Sequence, residues 1–271
     1  MNFRLASSLL TFLFVLQSSI SFAKQPIQIA IVIDDLGNNH HDLQALTLHP
    51  AITFAVLPYT PYAKKIAKLA QEQNRELLLH MPMQAKSHNE KLGKGALMLD
   101  MQEDAFKSKL IQALHYFPGA TAINNHMGSA LTEHIQPMMW TMDILDKQGL
   151  YFLDSRTSAQ TIAQSTAQIS GVPALRRHIF LDNIKTQEAM AAQLQKALAL
   201  GENNHFVVII AHPYPETLQF LSENMTQQNQ HFELVPLQQL LRPSDRLAIA
   251  QKRSEWQQAN NIIIDQTKQT Q

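Results

Sequence analysis

Two hydrophobic periods alternate along almost the whole chain. Runs that are apolar at nearly every position recur at IQIAIVID (27–34), ITFAVL (52–57), ELLLH (76–80), ATAINNH (120–126), LYFLD (150–154), ALRRHIFLD (174–182), FVVIIAH (206–212) and FELVPL (232–237). Short stretches of Ile, Val, Leu and Phe with no polar face are the pattern of strands covered on both sides, as in parallel sheets. Between them, apolar residues return every three or four positions in 62–74, 103–117, 137–149 and 187–200. That spacing predicts helices with one buried stripe, the last ending at Gly201 as a C-cap. Seven or eight parallel βα units over 24–242 predict an α/β fold, a distorted (β/α) barrel. Residues 84–101 read as a longer loop after the third strand, and 243–271 as a polar C-terminal tail whose final residues, ending in QTKQTQ, are flexible.

The N-terminus breaks this alternation. Residues 1–23 carry one Arg, an apolar core at 9–16 and the sequence Ser-Phe-Ala at 21–23. This is the pattern of a secretory signal peptide with a small-x-small cleavage site, and its core is too short for a comfortable membrane span. The expected product is exported, periplasmic or secreted, with no stable membrane span. Its removal takes away only Arg4, leaving 22 acidic residues against one fewer basic. Such a balance offers no electrostatic handle for nucleic acid or anionic lipid. The absence of Cys means that the core alone holds the domain, and that any metal must be bound by His and carboxylates.

In parallel α/β folds, sites form where the C-terminal ends of strands meet the following loops. Here those ends are polar in turn: Asp34-Asp35, His80, Asn124-Asn125-His126, Asp154-Ser155-Arg156, Asp182-Asn183 and His212. One such residue alone is more simply a cap or a satisfied edge group; six together point to chemistry. Adjacent carboxylates repel and are best separated by role, one binding a cation and the other acting as base. Asp35 with His80 and His126 would make a three-ligand site with an open position, the arrangement of catalytic zinc. His212 would face the leaving group as general acid. Tyr59 and Tyr62 could stack on a sugar, although ordinary packing is the simpler reading. His178, inside a strand, reads as structural. No Gly-rich loop follows any strand, which argues against nucleotide binding.

The ordered set IVIDDLG (31–37), LLLHMPM (77–83), NNHMGS (124–129), YFLDSRTS (151–158), RRHIFLDN (176–183) and IIAHPYPET (209–217) resembles the divergent polysaccharide deacetylase family, among the NodB-type carbohydrate esterases. The resemblance implies hydrolytic removal of acetyl groups from a polysaccharide or peptidoglycan-type glycan. It implies Asp34 as base, Asp35 as metal-binding acid, His126 as the first His of the second motif and His212 as the late-strand His assisting catalysis. Asp154 and Arg156 match residues that orient the base. Typical deacetylases carry a second metal His four residues after the first, where this chain has Ala130. His80 is the substitute that strand position suggests. The alternative is a weak or inactive glycan-binding or partner-binding envelope protein on the same fold. Hydrolysis of another ester would share the site, and serine hydrolase chemistry lacks its Gly-x-Ser-x-Gly turn around Ser129. Oligomeric state and metal identity have no signature in the sequence.

Overall fold

The computed structural model describes residues 26–225 and 232–269, with side chains to residue 258. The signal-peptide segment lies outside the described residues. Nine parallel strands form one sheet: β1 (Ile27–Leu36), β2 (Thr53–Val56), β3 (Leu77–Met83), β4 (Ala122–Met127), β5 (Tyr151–Asp154), β6 (Ala174–Arg176), β7 (Ile179–Phe180), β8 (Phe206–Ala211) and β9 (Phe232–Leu234). The order is β6-β5-β4-β3-β2-β1-β8-β7. Strand β9 pairs with the start of β1 (Ile27 to Ile29), on the stretch before β2 begins to pair at Val32. The helices α1 (Ala63–Glu72), α2 (Glu103–Tyr116), α3 (Ile135–Gln148), α4 (Ala163–Ile169), α5 (Gln187–Asn204) and α6 (Pro215–Asn224) connect the strands.

This is the distorted barrel that the alternation predicts, with one refinement. The apolar run 174–182 is two strands, β6 and β7, which stand at opposite ends of the sheet order although only Arg177 and His178 separate them. Three residue steps reach at most about 10–11 Å, so the sheet must curl until its ends meet. The two linking residues stitch that seam. Arg177 N–H donates to the Asp154 carbonyl of β5 (2.9 Å), and His178 N–H donates to the Val208 carbonyl of β8 (2.9 Å). The His178 ring completes the ladder, its Nδ1 accepting from Val208 N–H at 3.0 Å.

Side chains alternate between two cores. Ile29, Ile31, Ile33, Phe54, Leu77, Leu79, Phe152 and Ile209 pack outward under the helices. Ala30, Val32, Ala55, Leu78, Ala122, Leu153, Val208 and Ile210 fill the interior, with Leu237 and Leu241 closing its lower end. Beside that plug the buried Glu76 carboxylate accepts from Tyr151 Oη (2.7 Å), Thr121 Oγ1 (2.9 Å), Thr53 Oγ1 (3.2 Å) and the Gln238 amide (3.0 Å).

Two expectations are corrected. Helix α5 does not stop at Gly201 but runs to Asn204, and His205 (φ 66°) forms the left-handed cap. Gly201 is there for close packing, since a Cβ would lie 2.1 Å from Ile27 Cγ2. The segment expected as a tail is helix α7 (Pro243–Gln269). Its polar residues have tertiary partners: Lys252 pairs with Asp146, and Arg253 Nη2 donates to the carbonyls of Thr121 (3.0 Å) and Gly149 (3.1 Å). At Lys252 and Arg253, polarity marks a docked face. Gly149, left-handed at φ 63°, ends α3 and lets α7 approach, because a Cβ would sit 2.4 Å from Arg253 N. Among the described residues, no helix is long and apolar enough to cross a membrane.

Candidate active site

The interior rows turn polar at the C-terminal end of the barrel. Counting by two from the core positions, Val32 leads to Asp34, Leu78 to His80, Ala122 to Asn124 and His126, Leu153 to Ser155, and Ile210 to His212. Period two therefore aims these side chains inward. Asp35 has the wrong parity and enters by another device. The pairing of β1 with β2 slips between Ile33 and Leu36, and Asp35 adopts φ 60°. This bulge swings the second carboxylate into the same space as the first; bulges are often found beside active sites, where they re-aim a side chain.

Asp35 Oδ1, His80 Nε2 and His126 Nδ1 converge. The separations are 3.0 Å (Asp35 to His80), 2.7 Å (Asp35 to His126) and 3.3 Å (His80 to His126). A tetrahedral ion with ligands at about 2.0–2.1 Å needs donors about 3.3 Å apart, so small outward shifts accommodate one. The donor chemistry also fits. Asn124 Nδ2 donates to Asp34 Oδ1 (2.8 Å) and Ser155 Oγ (3.2 Å), which turns its Oδ1 toward His80 Nδ1 at 2.9 Å. His80 must then donate from Nδ1, and its Nε2 faces the Asp35 carboxylate across 3.0 Å. A lone pair cannot face a carboxylate oxygen at that distance unless a proton or a cation lies between them. Orientation of a ligating imidazole through its other nitrogen is a common support for metal sites.

Charge follows the same geometry. Burial pushes the Asp35 carboxyl up, but hydrogen bonds from His126 and His80 hold it well below the ordinary carboxylate range. Burial alone would keep His80 neutral; Asp34 and Asp35 outweigh it and raise the imidazole to about 9. Asp34, 3% exposed, is raised chiefly by burial, against the pull of His80 and His212. Its Oδ2 lies 3.8 Å from His80 Nε2.

Across the site, His212 Nε2 stands 3.8 Å from Asp35 Oδ2. Its Nδ1 is held by Asp182 Oδ1 at 3.0 Å, while Asp182 Oδ2 accepts from the His212 amide (2.7 Å) and Thr217 Oγ1 (2.9 Å). Burial opposes protonation of His212, but the hydrogen bond to Asp182 and the charge of Asp34 raise it overall. Asp182 was legible only as a polar strand end; its role as the orienter of His212 needed the pairing of β7 with β8.

Asp154 and Arg156, expected to orient the base, do not contact it. Asp154 has the outward parity on β5 and binds the Arg156 amide (2.8 Å) and Thr161 Oγ1 (3.0 Å) instead. Arg156 sits at φ 49°, and its carbonyl accepts from Arg177 Nη2 at 2.8 Å. Asn124 is the group that holds Asp34. Tyr59 packs on Tyr116, ring centres 4.6 Å apart, and Tyr62 meets His40 edge-on. Phe180 and Tyr214 pack beside the His212 ring, with ring centres 5.1 and 5.8 Å from it.

Two cavities meet at the converging donors. One, of about 310 Å³, is lined by Asp34, Arg156, Arg177, Phe180 and His212. The other, of about 460 Å³, lies toward the segment 84–101 and includes Pro58, Pro82, Lys91 and Lys94. Asp35, His126 and Met127 line both.

Comparison with known proteins agrees with this architecture. The chain is 36% identical over 197 residues to the uncharacterized protein YibQ of Escherichia coli, covering 72% of this chain and 61% of that protein's length. It is 35% identical over 228 residues to an uncharacterized protein of Haemophilus influenzae, covering 84% and 80% of the two chains. The crystal structure of uncharacterized protein ATU2773 from Agrobacterium tumefaciens superposes with a TM-score of 0.76 at 19% identity, over 80% of this chain and 90% of that one, which shows a shared fold. Residues 31–241 match the profile of the divergent polysaccharide deacetylases, and the chain belongs to that family.

Proposed function

We propose that this chain is an exported, metal-dependent hydrolase that removes acetyl groups from a cell-envelope glycan, with Asp35, His80 and His126 holding a divalent ion, zinc by its donor set. The observation that carries the reading is the convergence of one carboxylate and two imidazole nitrogens on a point open to both cavities. His80 supplies the second imidazole that Ala130 does not, which weighs against an inactive binding module. A divalent ion so held would acidify water and polarise an acyl carbonyl.

The chain's own residues divide the proton work. Asp34 takes the proton of the water whose oxygen adds to the acetyl carbon; Asn124 holds that carboxylate in place. His212 gives its proton to the departing amine or alkoxide as the acyl bond breaks and acetate leaves. Asp182 fixes the Nδ1–H and keeps Nε2 toward the cavity. Phe180 offers an apolar wall to the sugar or its acetyl methyl. The apolar segment at 9–16 and the Ser-Phe-Ala at 21–23 support export.

Purified chain carrying Asp35→Ala or His126→Ala tests the proposal. Both variants are expected to lose bound metal by elemental analysis, and to release acetate from chitin and peptidoglycan oligosaccharides at least 100-fold more slowly, while keeping the native melting transition. Metal content and acetate release that survive both substitutions would overturn the assignment.

A further inference from the structure

The two cavities carry a charge that the whole chain does not. The chain balances 22 basic against 22 acidic residues. Around the 460 Å³ cavity the described lining has one carboxylate, Asp35, already facing two imidazoles. Its cationic residues are Lys91 and Lys94, one on each side of Leu92-Gly93, both exposed. Neither ammonium group makes an ion pair or hydrogen bond with any described residue, although the charge of Lys91 acts on the neighbouring Glu90; Lys94 Nζ rests 5.7 Å from the centre of the Tyr59 ring. Of the nearby acids, Glu90 contacts His88 (3.3 Å) and is shared electrostatically with Lys91, and Glu133 pairs with Lys86 (2.7 Å).

The segment that carries these lysines is clamped to the end of β3. Leu97 N–H donates to Pro82 O and Gln84 N–H to Leu97 O, both at 2.9 Å. Gln84 Oε1 accepts from Leu99 N–H (2.7 Å), and Asn89 Oδ1 from Ala85 N–H (2.8 Å). The ammonium groups are thus presented from a fixed frame, above a floor of Leu57, Pro58, Pro82 and Met127 that suits the apolar face of a sugar ring. A divalent ion would cancel Asp34 and Asp35, leaving Lys91, Lys94, Arg156 and Arg177 to set the field at the mouth.

We infer that the 460 Å³ cavity is a subsite for an anionic sugar, and that the substrate is an acidic, acetylated glycan whose charged residue lies beside the acetylated one. This rests on the reading of Asp35, His80 and His126 as the reacting centre. Two exposed lysines of this kind confer a preference of about fivefold to tenfold, lost as salt shortens the screening length.

The test uses the full chain loaded with zinc and three acetylated oligosaccharides of equal length: one bearing uronic acids, its carboxyl-reduced counterpart, and one bearing phosphate. Calorimetric Kd values at low ionic strength and at about 0.5 M salt are compared between the native chain and Lys91→Gln/Lys94→Gln. The expected result is at least fivefold tighter binding of an anionic oligosaccharide than of the reduced one at low salt, falling below twofold in the double variant. The tighter of the two anions identifies the charged group. Equal affinity for charged and neutral forms, or a preference unchanged in the double variant, would overturn the subsite. Acetate release at equal rates from acidic and reduced forms would also sink it while leaving the hydrolase intact. An anionic preference with no acetate release from any form would keep the subsite and remove the hydrolase.

Discussion

Asn124 holds both His80, the proposed ligand, and Asp34, the proposed base, so Asn124→Ala is the most informative single change outside the proposed donors. It removes the acceptor at 2.9 Å from His80 Nδ1 and the donor at 2.8 Å to Asp34 Oδ1. Without the first, the imidazole is free to exchange tautomers and rotate; loss of such a support typically weakens metal binding 10- to 100-fold, or about 1.4–2.7 kcal/mol. Without the second, a buried carboxyl loses the one side-chain amide that donates to it among the described residues, and the metal-free fold should weaken by about 2–3 kcal/mol. Competition against a chromophoric chelator reads the first quantity and urea unfolding of stripped protein the second. Ser155→Ala is the control, since it touches only the longer 3.2 Å contact, and should change metal affinity less than threefold. Metal affinity within twofold of native in Asn124→Ala would refute the argument that this amide orients His80.

Asp182→Asn should lower acetate release by at least 100-fold through loss of the His212 tautomer, with metal content unchanged; parallel loss of metal would argue against separate roles. His178 is pulled down to about 4 from its ordinary 6.5, first by burial and then by Arg176, so the fold favours its neutral form. Because the folded value is depressed, stability is complete above about 6.5 and is lost as pH falls toward 4, amounting to about 1–2 kcal/mol at pH 5. His178→Asn retains an acceptor for Val208 N–H without titrating, and denaturation at pH 7 and pH 5 should show a flatter dependence; an unchanged slope would count against the seam histidine. Glu76→Leu removes the acceptor of Tyr151 Oη and of the Gln238 amide, while Thr121 Oγ1 keeps the Leu77 carbonyl and Thr53 Oγ1 keeps the Leu237 amide; it should cost about 3 kcal/mol in urea unfolding, whereas a loss below 1 kcal/mol would mean the lower network is dispensable.

Most of the barrel and much of the site could be read from residue spacing alone. Continuous apolar runs mark strands with two covered faces, and counting by two from Ala30, Leu78 and Ala122 leads to Asp34, His80 and His126. The same count, applied to Leu153, would have turned Asp154 away from the base and put Ser155 inside. Asp35 defies the count because the bulge at φ 60° depends on how β1 slips against β2, which the spacing of apolar residues does not carry. The split of 174–182 into β6 and β7 was hidden because its two halves pair with strands far apart in sequence, β5 and β8. Helix α7 was hidden because its docking depends on what Lys252 and Arg253 reach, Asp146 and the ends of β4 and α3, not on its own polarity.

Arg177 and His178 join the walls that carry Ser155 and Arg156 on one flank and His212 on the other. Lengthening this dipeptide would let those flanks splay, and shortening it would draw them together. The width between them is thereby governed by two residues at a closure point, which makes this junction the natural place to resize the proposed site without touching any of its proposed reacting groups.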